Sequence, residues 1–412
     1  MTDVFEKAVA ELNIDRSDWQ LVKFGDVAIQ QKQTVDRENT ELTCYVKGEH
    51  MYSEDIHLRE WGELTDEYLG PAFIRKFEEG DILYGSRRTY LRKVVIAPFE
   101  GITSNTTFVI KANEEKIDKR LLPFIMLSEG FSQHSIKNSK GSVNPYVNWK
   151  DLAGYEFLLP PLRTQAELSE LLWTLDNGRQ TDIGLVSTLK RAYKTLLNQM
   201  MIHGTESLDG KVTKTKCGLL DERLNVIQLK DCLLEKPSYG ANASSKIYEE
   251  GRPRYIRITD IDDDGKLIDD ELVTIDSESY DDYMLKDNDF LFARTGNTVG
   301  KTHLYRSKYG PAVYAGYLIR FRLNQQLLRP KFLFFFTKSL KFESFKRKMM
   351  KVGAQPNINS EEYQSMHLPD LPIKVQDELI AKLDNYCEII KLAEQKLKHA
   401  KSLQTSLINK VF

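Results

Sequence analysis

The sequence predicts an α+β protein: two similar domains, mainly β with helices, separated by two long helices that form an antiparallel coiled coil with a pseudo-two-fold internal repeat. Three observations predict it. GYEFLLPPLRTQAEL at 154–168 returns as SMHLPDLPIKVQDEL at 365–379, a spacing of 211 residues that sets Pro161 on Pro372, Gln165 on Gln376 and Leu168 on Leu379. A period this long is no solenoid unit, so each copy is a domain followed by a helix. Apolar residues then recur at 4-3-4-3 spacing after both segments, in the same register. Leu168, Leu172, Leu175, Val186, Leu189, Leu196 and Met200 lie on the first seam; Leu379, Leu383, Ile390, Leu397, Leu407 and Val411 lie on the second. Arg179 and Asp182 interrupt the first seam where Ile390 and Ala393 continue the second.

In chain order, residues 1–14 (MTDVFEKAVAELNI) read as a short amphipathic helix without the basic and apolar regions of a signal peptide. WQLVKFGDV, DILYGSRR, KVVIAPF and TTFVIKA, all within 19–112, are rich in aromatic and β-branched residues and read as strands. Residues 118–139 read as helical, and the Gly/Pro/Asn-rich GSVNPYVN that follows as a loop. A proline then opens each long helix, over roughly 163–203 and 374–411. About 40 residues at 1.5 Å each make a rod of about 60 Å. The second domain repeats the first in outline: NDFLFARTG at 288 matches GDILYGSRR at 80, a spacing of 208, while Phe131 and Asn148 match Phe342 and Asn359 at 211. The predicted divisions are a first domain with its N-terminal helix at 1–157, a central spacer helix at 158–205, a second domain at 206–369 and a distal spacer helix at 370–412.

The 412 residues, 41% hydrophobic and 29% charged, provide ample core for two or three domains. No apolar run spans a bilayer, the longest being Phe332–Phe336. Cys44, Cys217, Cys232 and Cys387 have neither metal-ligand nor disulfide-framework spacing, so a reduced, cytoplasmic setting is expected.

Three motifs resemble chemical sites and fail in detail. GNTVGKT (296–302) has three residues between its glycines where a phosphate-binding loop needs four. DIDDDGKLIDDE (260–271) places Asp260, Asp262, Asp264, Gly265 and Glu271 as a calcium loop would, but the preceding PRYIRIT alternates like a strand, so an acidic β-turn is expected. NPYV (144–147) lacks one proline of the adenine-holding NPPY tetrad and no methyl-donor loop precedes it. No catalytic residue is assigned, and no metal site.

The remaining signal is basic and polar. RRTYLRK (87–93) carries four cations and no acid; KFESFKRKMMK (341–351) carries five against Glu343. Such runs are ordinarily solvated faces, but here they stand near loops that match between the repeats. Arg87, Arg88, Tyr90 and Arg92 follow one predicted strand, and Arg294, Thr295, Asn297 and Lys301 follow its counterpart. Lys140, Ser142 and Asn144 lie in a loop matched by Lys351, Gln355 and Asn357. Arg, Lys, Asn and Gln make the bidentate contacts that distinguish base edges, and Lys and Arg neutralise phosphates. These fourteen residues are the predicted double-stranded-DNA contacts.

With FLLPPLRTQAEL and LPDLPIKVQDEL each opening a long helix, and with GDILYGSRRTYLRKVVIAP, NDFLFARTGNTVGKTHLY, GSVNPYVNWKDL and GAQPNINSEEY between them, the chain resembles the DNA-specificity subunit of type I restriction–modification systems over residues 19–412. The resemblance implies two target-recognition domains, each reading half of a bipartite DNA site, with helices that set the gap and dock partners. It implies no chemistry and no cofactor on this chain. S-adenosylmethionine, ATP and magnesium belong to partners: modification subunits, expected to be two, that methylate adenine, and restriction subunits that translocate and cleave. Leu-Pro-Asp-Leu-Pro in the second copy departs mildly from Leu-Pro-Pro-Leu. The competing reading is a coiled-coil scaffold whose domains bind no nucleic acid.

Overall fold

A computed structural model describes residues 14–36, 39–65, 67–204, 210–350 and 355–412. The helix expected at the N-terminus falls on 1–13, outside the described residues. The chain divides into two compact units, Met1–Gly184 with Ala393–Phe412, and Leu185–Leu392. Each contains a β-rich domain and one end of each long helix, Leu162–His203 and Ile373–Val411.

In the first unit, a four-stranded sheet runs in the order Ala28–Gln31, Thr107–Ala112, Ile82–Gly85, Val94–Ile96, all antiparallel. A second runs Gly62–Glu63, Cys44–Val46, Gly101–Ser104, Phe73–Phe77, with its middle pair parallel. Gln20–Lys23 pairs with Glu156–Leu159 and ties the chain's entry to the segment feeding the long helix. The strand expected over 19–27 stops at Lys23 and turns into the short helix Phe24–Val27: Asp26 accepts the Lys23 amide at 3.1 Å and Tyr155 accepts the Phe24 amide at 2.7 Å. The helix expected over 118–139 is two, Leu122–Leu127 and Glu129–Lys137, divided at Ser128, whose Oγ caps the second by accepting from the Phe131 amide.

The second unit repeats this plan. Ser238–Tyr239, Leu318–Phe321, Phe290–Ala293 and Thr302–Leu304 form the counterpart of the first sheet; Ser245–Ile247, Val273–Ile275, Arg254–Ile256 and Ala312–Tyr314 form the second, again with one parallel pair. Asn225–Gln228 pairs with His367–Asp370 as Gln20–Lys23 does with Glu156–Leu159.

Both seams face inward. Every position of the two 4-3-4-3 rows is at least half-buried, and Arg179 and Asp182 are buried with the rest. In the first unit, Asp182 pairs with Lys396 at 2.7 Å and Asp176 accepts from Gln404 at 3.2 Å, so the helix ends there run antiparallel. In the second unit, Tyr193 lies beside Cys387. Subtracting the 211-residue repeat from Gln404 gives Tyr193, and adding it to Asp176 gives Cys387: the two pairs occupy equivalent places.

The repeated glutamines now have a role. Buried Gln165 donates to the Pro160 and Lys116 carbonyls and accepts the Asp118 amide; buried Gln376 donates to the Leu371 and Leu327 carbonyls and accepts the Arg329 amide. Each thus stitches a helix start to its domain, supplying the partners that buried amides require. The helices also enter the domain cores. Leu172, Leu407, Ile408 and Val411 join Phe124 and Phe131 in one; Leu197, Met201, Leu379 and Leu383 join Phe292 and Tyr363 in the other. Full burial of one such side chain is worth about 1.5–3 kcal/mol.

Candidate nucleic-acid interface

In the first unit, strand Ile82–Gly85 ends at buried Ser86 and delivers Arg87 and Arg88 to the surface. The main chain there is held from both sides. Ser86 donates its amide to the Thr106 carbonyl at 3.3 Å and accepts from the Val147 amide at 3.0 Å; Arg88 donates to the Pro145 carbonyl at 2.6 Å. Lys140 and Tyr146 exchange two main-chain bonds, closing a hairpin whose tip carries exposed Ser142 and Asn144. The two loops separated by some fifty residues in the sequence are therefore one ledge. Arg87, Arg88 and Tyr90 are exposed on it, and neither arginine has a carboxylate partner among the described residues. Burial and the nearby Arg88 hold Lys93 below the usual lysine range. A cleft of about 350 Å³ beside the ledge is lined by Gln30, Lys32, Arg87, Asn105 and Tyr146.

The second unit builds the same ledge. Arg294 donates its amide to the Tyr317 carbonyl at 3.0 Å and accepts from the Ile358 amide at 2.9 Å; Gly296 donates to Pro356 at 2.9 Å. Each bond is the counterpart of one above, at spacings of 208 on one side and 211 on the other. The side chains differ. The Arg294 guanidinium lies over the Tyr239 ring at 4.8 Å, and its Nε donates to Asn357 Oδ1 at 3.4 Å. Tyr239 accepts the Ser360 amide at 3.2 Å. Asn297 and Gln355 are exposed; Thr295 is half-buried and main-chain-bridged to Asn357. Lys351 lies outside the described residues.

Three predicted contacts are held by carboxylates of this chain. Arg92 reaches Glu54 at 3.6 Å and bonds Glu129. Lys140 pairs with Asp151 at 3.3 Å. Lys301 pairs with Asp263 at 2.9 Å and donates to the Ile261 carbonyl. Lys301 thus belongs to the acidic turn, which is a β-turn: Ile261 bridges Leu267, and Asp260 is buried against the Arg257 guanidinium. Among the described residues no cluster could hold a metal ion. Burial pushes Lys338, which donates to the Asp263 carbonyl, down to about 8.

Sequence reasoning missed Lys32, Asn105, Tyr146, Tyr239 and Tyr317. Tyr317 is 60% exposed and Tyr146 42%. One signal was available: Tyr317 stands 211 residues after Thr106, so extending the repeat would have placed it on the ledge.

Exposed guanidinium groups, amides and phenol rings on a rigid main-chain ledge can read base edges and stack on or bond to a backbone. A family model described as the type I restriction modification DNA specificity domain matches residues 16–184 and 225–402. The MjaVIII type I restriction enzyme specificity subunit of Methanocaldococcus jannaschii is 22% identical over 95% of this chain and 92% of its own length. The EcoDI specificity subunit of Escherichia coli is 28% identical over 37% of this chain and 33% of its own. A chain solved in a study of type I restriction–modification complex assembly and conformational transition covers 97% of this chain at TM-score 0.62 and 17% identity. The specificity subunit from M. genitalium covers 97% at TM-score 0.56 and 12% identity. At these identities the solved structures share the fold. Among the described residues, no helix is long and apolar enough to cross a membrane.

Proposed function

Because the chain belongs to the type I restriction–modification DNA-specificity family, and is therefore a DNA-recognition subunit rather than an enzyme, we propose that each of its two ledges reads one half of a bipartite duplex site. The observation that carries this is the repeated scaffold with unrepeated side chains. The same three main-chain bonds recur at spacings of 208 and 211, while Arg87–Arg88–Tyr146 in one unit stands where Thr295–Gly296–Asn357 stands in the other. Two readers of two different half-sites need that combination.

The long helices act as spacer and dock. Two modification subunits, bearing S-adenosylmethionine, bind along them and methylate adenine. Restriction subunits add ATP- and magnesium-dependent translocation and cleavage, in the cytoplasm. A helix of about 60 Å corresponds to at most about 18 base pairs at roughly 3.4 Å each, which accommodates two half-sites and an unread gap. The scaffold reading leaves Arg87 and Arg88, exposed and without a carboxylate partner among the described residues, without a purpose. Sequencing modified bases in a host that expresses this chain with its modification subunits tests the proposal. A two-part, asymmetric methylated sequence is the expected result; a continuous site or none overturns it.

A further inference from the structure

Four non-glycine residues among those described have left-handed φ, and three of them belong to one cluster: Glu54 at 56°, Arg88 at 49° and Arg92 at 47°. A side chain in this region is strained and persists only where its surroundings enforce it. Arg88 and Arg92 flank a single 3-10 turn, Thr89–Leu91, which the Arg88 and Thr89 carbonyls close at 2.8 and 2.9 Å. The exposed Arg88 therefore leaves the ledge in a direction fixed by two unfavourable residues.

The Pro145 carbonyl, which accepts the Arg88 amide at 2.6 Å, holds one of them; what enforces the other is Glu54. Its amide donates to the Arg92 carbonyl at 3.1 Å, and its carboxylate faces the Arg92 guanidinium, whose other end bonds Glu129. The same carboxylate pairs with Lys401 at 2.8 Å, and the Glu54 carbonyl accepts from Arg179 at 3.4 Å. Arg179 is on the first long helix and Lys401 on the second. The Glu129 amide, in turn, donates to Asn409 at 2.8 Å. One residue thus holds the Arg92 end of the first recognition loop's turn and binds it to both helices of its unit.

We propose that Glu54 is a positioning residue for the first half-site: it clamps Arg92 so that Arg87 and Arg88 are presented at one fixed angle to DNA. Arg92 acts through this clamp and does not touch DNA itself. The inference rests on the reading of the ledges as half-site readers. Glycine accepts left-handed φ without cost, so Glu54→Gly removes the carboxylate while sparing the backbone, and Glu54→Gln keeps the size while removing the charge.

The full chain is titrated with duplex DNA carrying the two half-sites methylated by the wild-type complex, then with variants altered in one half at a time. Wild type must discriminate in both halves; if it discriminates in neither, the half-site reading itself fails. Given that discrimination, Glu54→Gln and Glu54→Gly should each lose about tenfold of it at the first half-site, the range of one misplaced bidentate contact, and none at the second. Arg92→Ala should match them, and Arg92→Ala with Glu54→Gln should be no worse than either alone, as for two members of one clamp. The salt dependence should be unchanged, since no phosphate contact is removed. Unaltered discrimination in both Glu54 variants overturns the clamp. So does equal loss at both halves, or an Arg92→Ala effect that adds to Glu54→Gln and lowers the salt slope, which marks a direct phosphate contact.

Discussion

Arg294 shows how much one side chain's role depends on residues far from it in sequence. Its ring partner Tyr239 precedes it by 55 residues and its hydrogen-bond partner Asn357 follows by 63. The ring and amide fix its Nε end, leaving the terminal fork to meet a base, a geometry suited to guanine O6 and N7. Replacing Arg294 by Ala should cost roughly 1–3 kcal/mol at one base pair of the second half-site and leave the first intact. Replacing Arg87 and Arg88 should do the reverse. Binding measured against single-substitution duplexes decides between them; an equal loss on every sequence means the residues hold only phosphates. That loops carrying Arg, Lys, Asn and Gln stand at matched positions of the two copies was legible from the sequence, although the side chains themselves differ. Which of them face outward was not. Arg92 and Lys301 resemble their neighbours in composition, and only the fold brings Glu54 and Asp263 against them.

At the scale of the element, the long helices were legible nearly to the residue, because a 4-3-4-3 row repeats in register and prolines mark the starts. Their polar interruption was legible as a break but not as a structure. It is a buried network: Asp176 contacts His57, Arg179 and Gln404, and Arg179 also reaches Asp55 at 3.5 Å. Burial alone raises the Asp176 carboxyl, but the hydrogen bond and charge of His57, with Gln404 and Arg179, outweigh it and hold the group below its ordinary 3.8. A depressed carboxyl adds stability that is fully present well above 3.8 and fades as pH falls through the folded-state value. Asp176→Asn should therefore lower stability by about 3 kcal/mol near neutrality, as removing one partner of a buried pair does. The difference from wild type in urea midpoint should shrink below about pH 4; a difference that stays constant with pH would assign the loss to shape instead of charge. The helices also permit a test of spacing. Four residues inserted after Ile183 and four after Lys396 keep approximate phase at 3.6 per turn and lengthen the paired rod by about 6 Å. That is a little under two base pairs at roughly 3.4 Å each. The methylated sequence should keep both halves and widen its gap, and an unchanged gap would exclude the helices as the spacer.

For the whole molecule, the internal repeat makes each half of the chain a near copy of what the other half binds. The two-stranded sheets that lead into the long helices repeat in register, the glutamine stitches repeat atom for atom, and the ledge bonds repeat at two spacings. A two-domain repeat was therefore legible from two fifteen-residue segments that align at a spacing of 211 and from the seams that follow them, whereas the strand order within each domain, which depends on long-range pairing, was not. The repeat has a consequence for a fragment of residues 1–203. Its seam loses its partner and leaves apolar side chains such as Val186, Leu189, Leu196 and Met200 facing water, each worth roughly 1.5–3 kcal/mol on burial. A second fragment can replace that partner with two-fold symmetry, the default for such pairs. The observed contacts say where the replacement is imperfect. Asp176 would meet Tyr193 in place of Gln404, which still offers a hydroxyl donor. Asp182 would meet Leu185 in place of Lys396, leaving a buried carboxylate alone. Residues 1–203 are thus expected to form a dimer that, with modification subunits, directs methylation to a palindrome of the first half-site. Leu185 is 46% exposed, so Leu185→Lys should be tolerated and should restore the lost pair twice in a symmetric dimer. Its dissociation constant should fall a few-fold at low salt, within the roughly 0.2–1 kcal/mol such a partly exposed pair contributes. Sedimentation at micromolar concentration tests both steps. A stable monomer would exclude the pseudo-symmetric exchange of helices, and a dimer indifferent to Leu185→Lys would show that the seams meet in a different register from that of the intact chain.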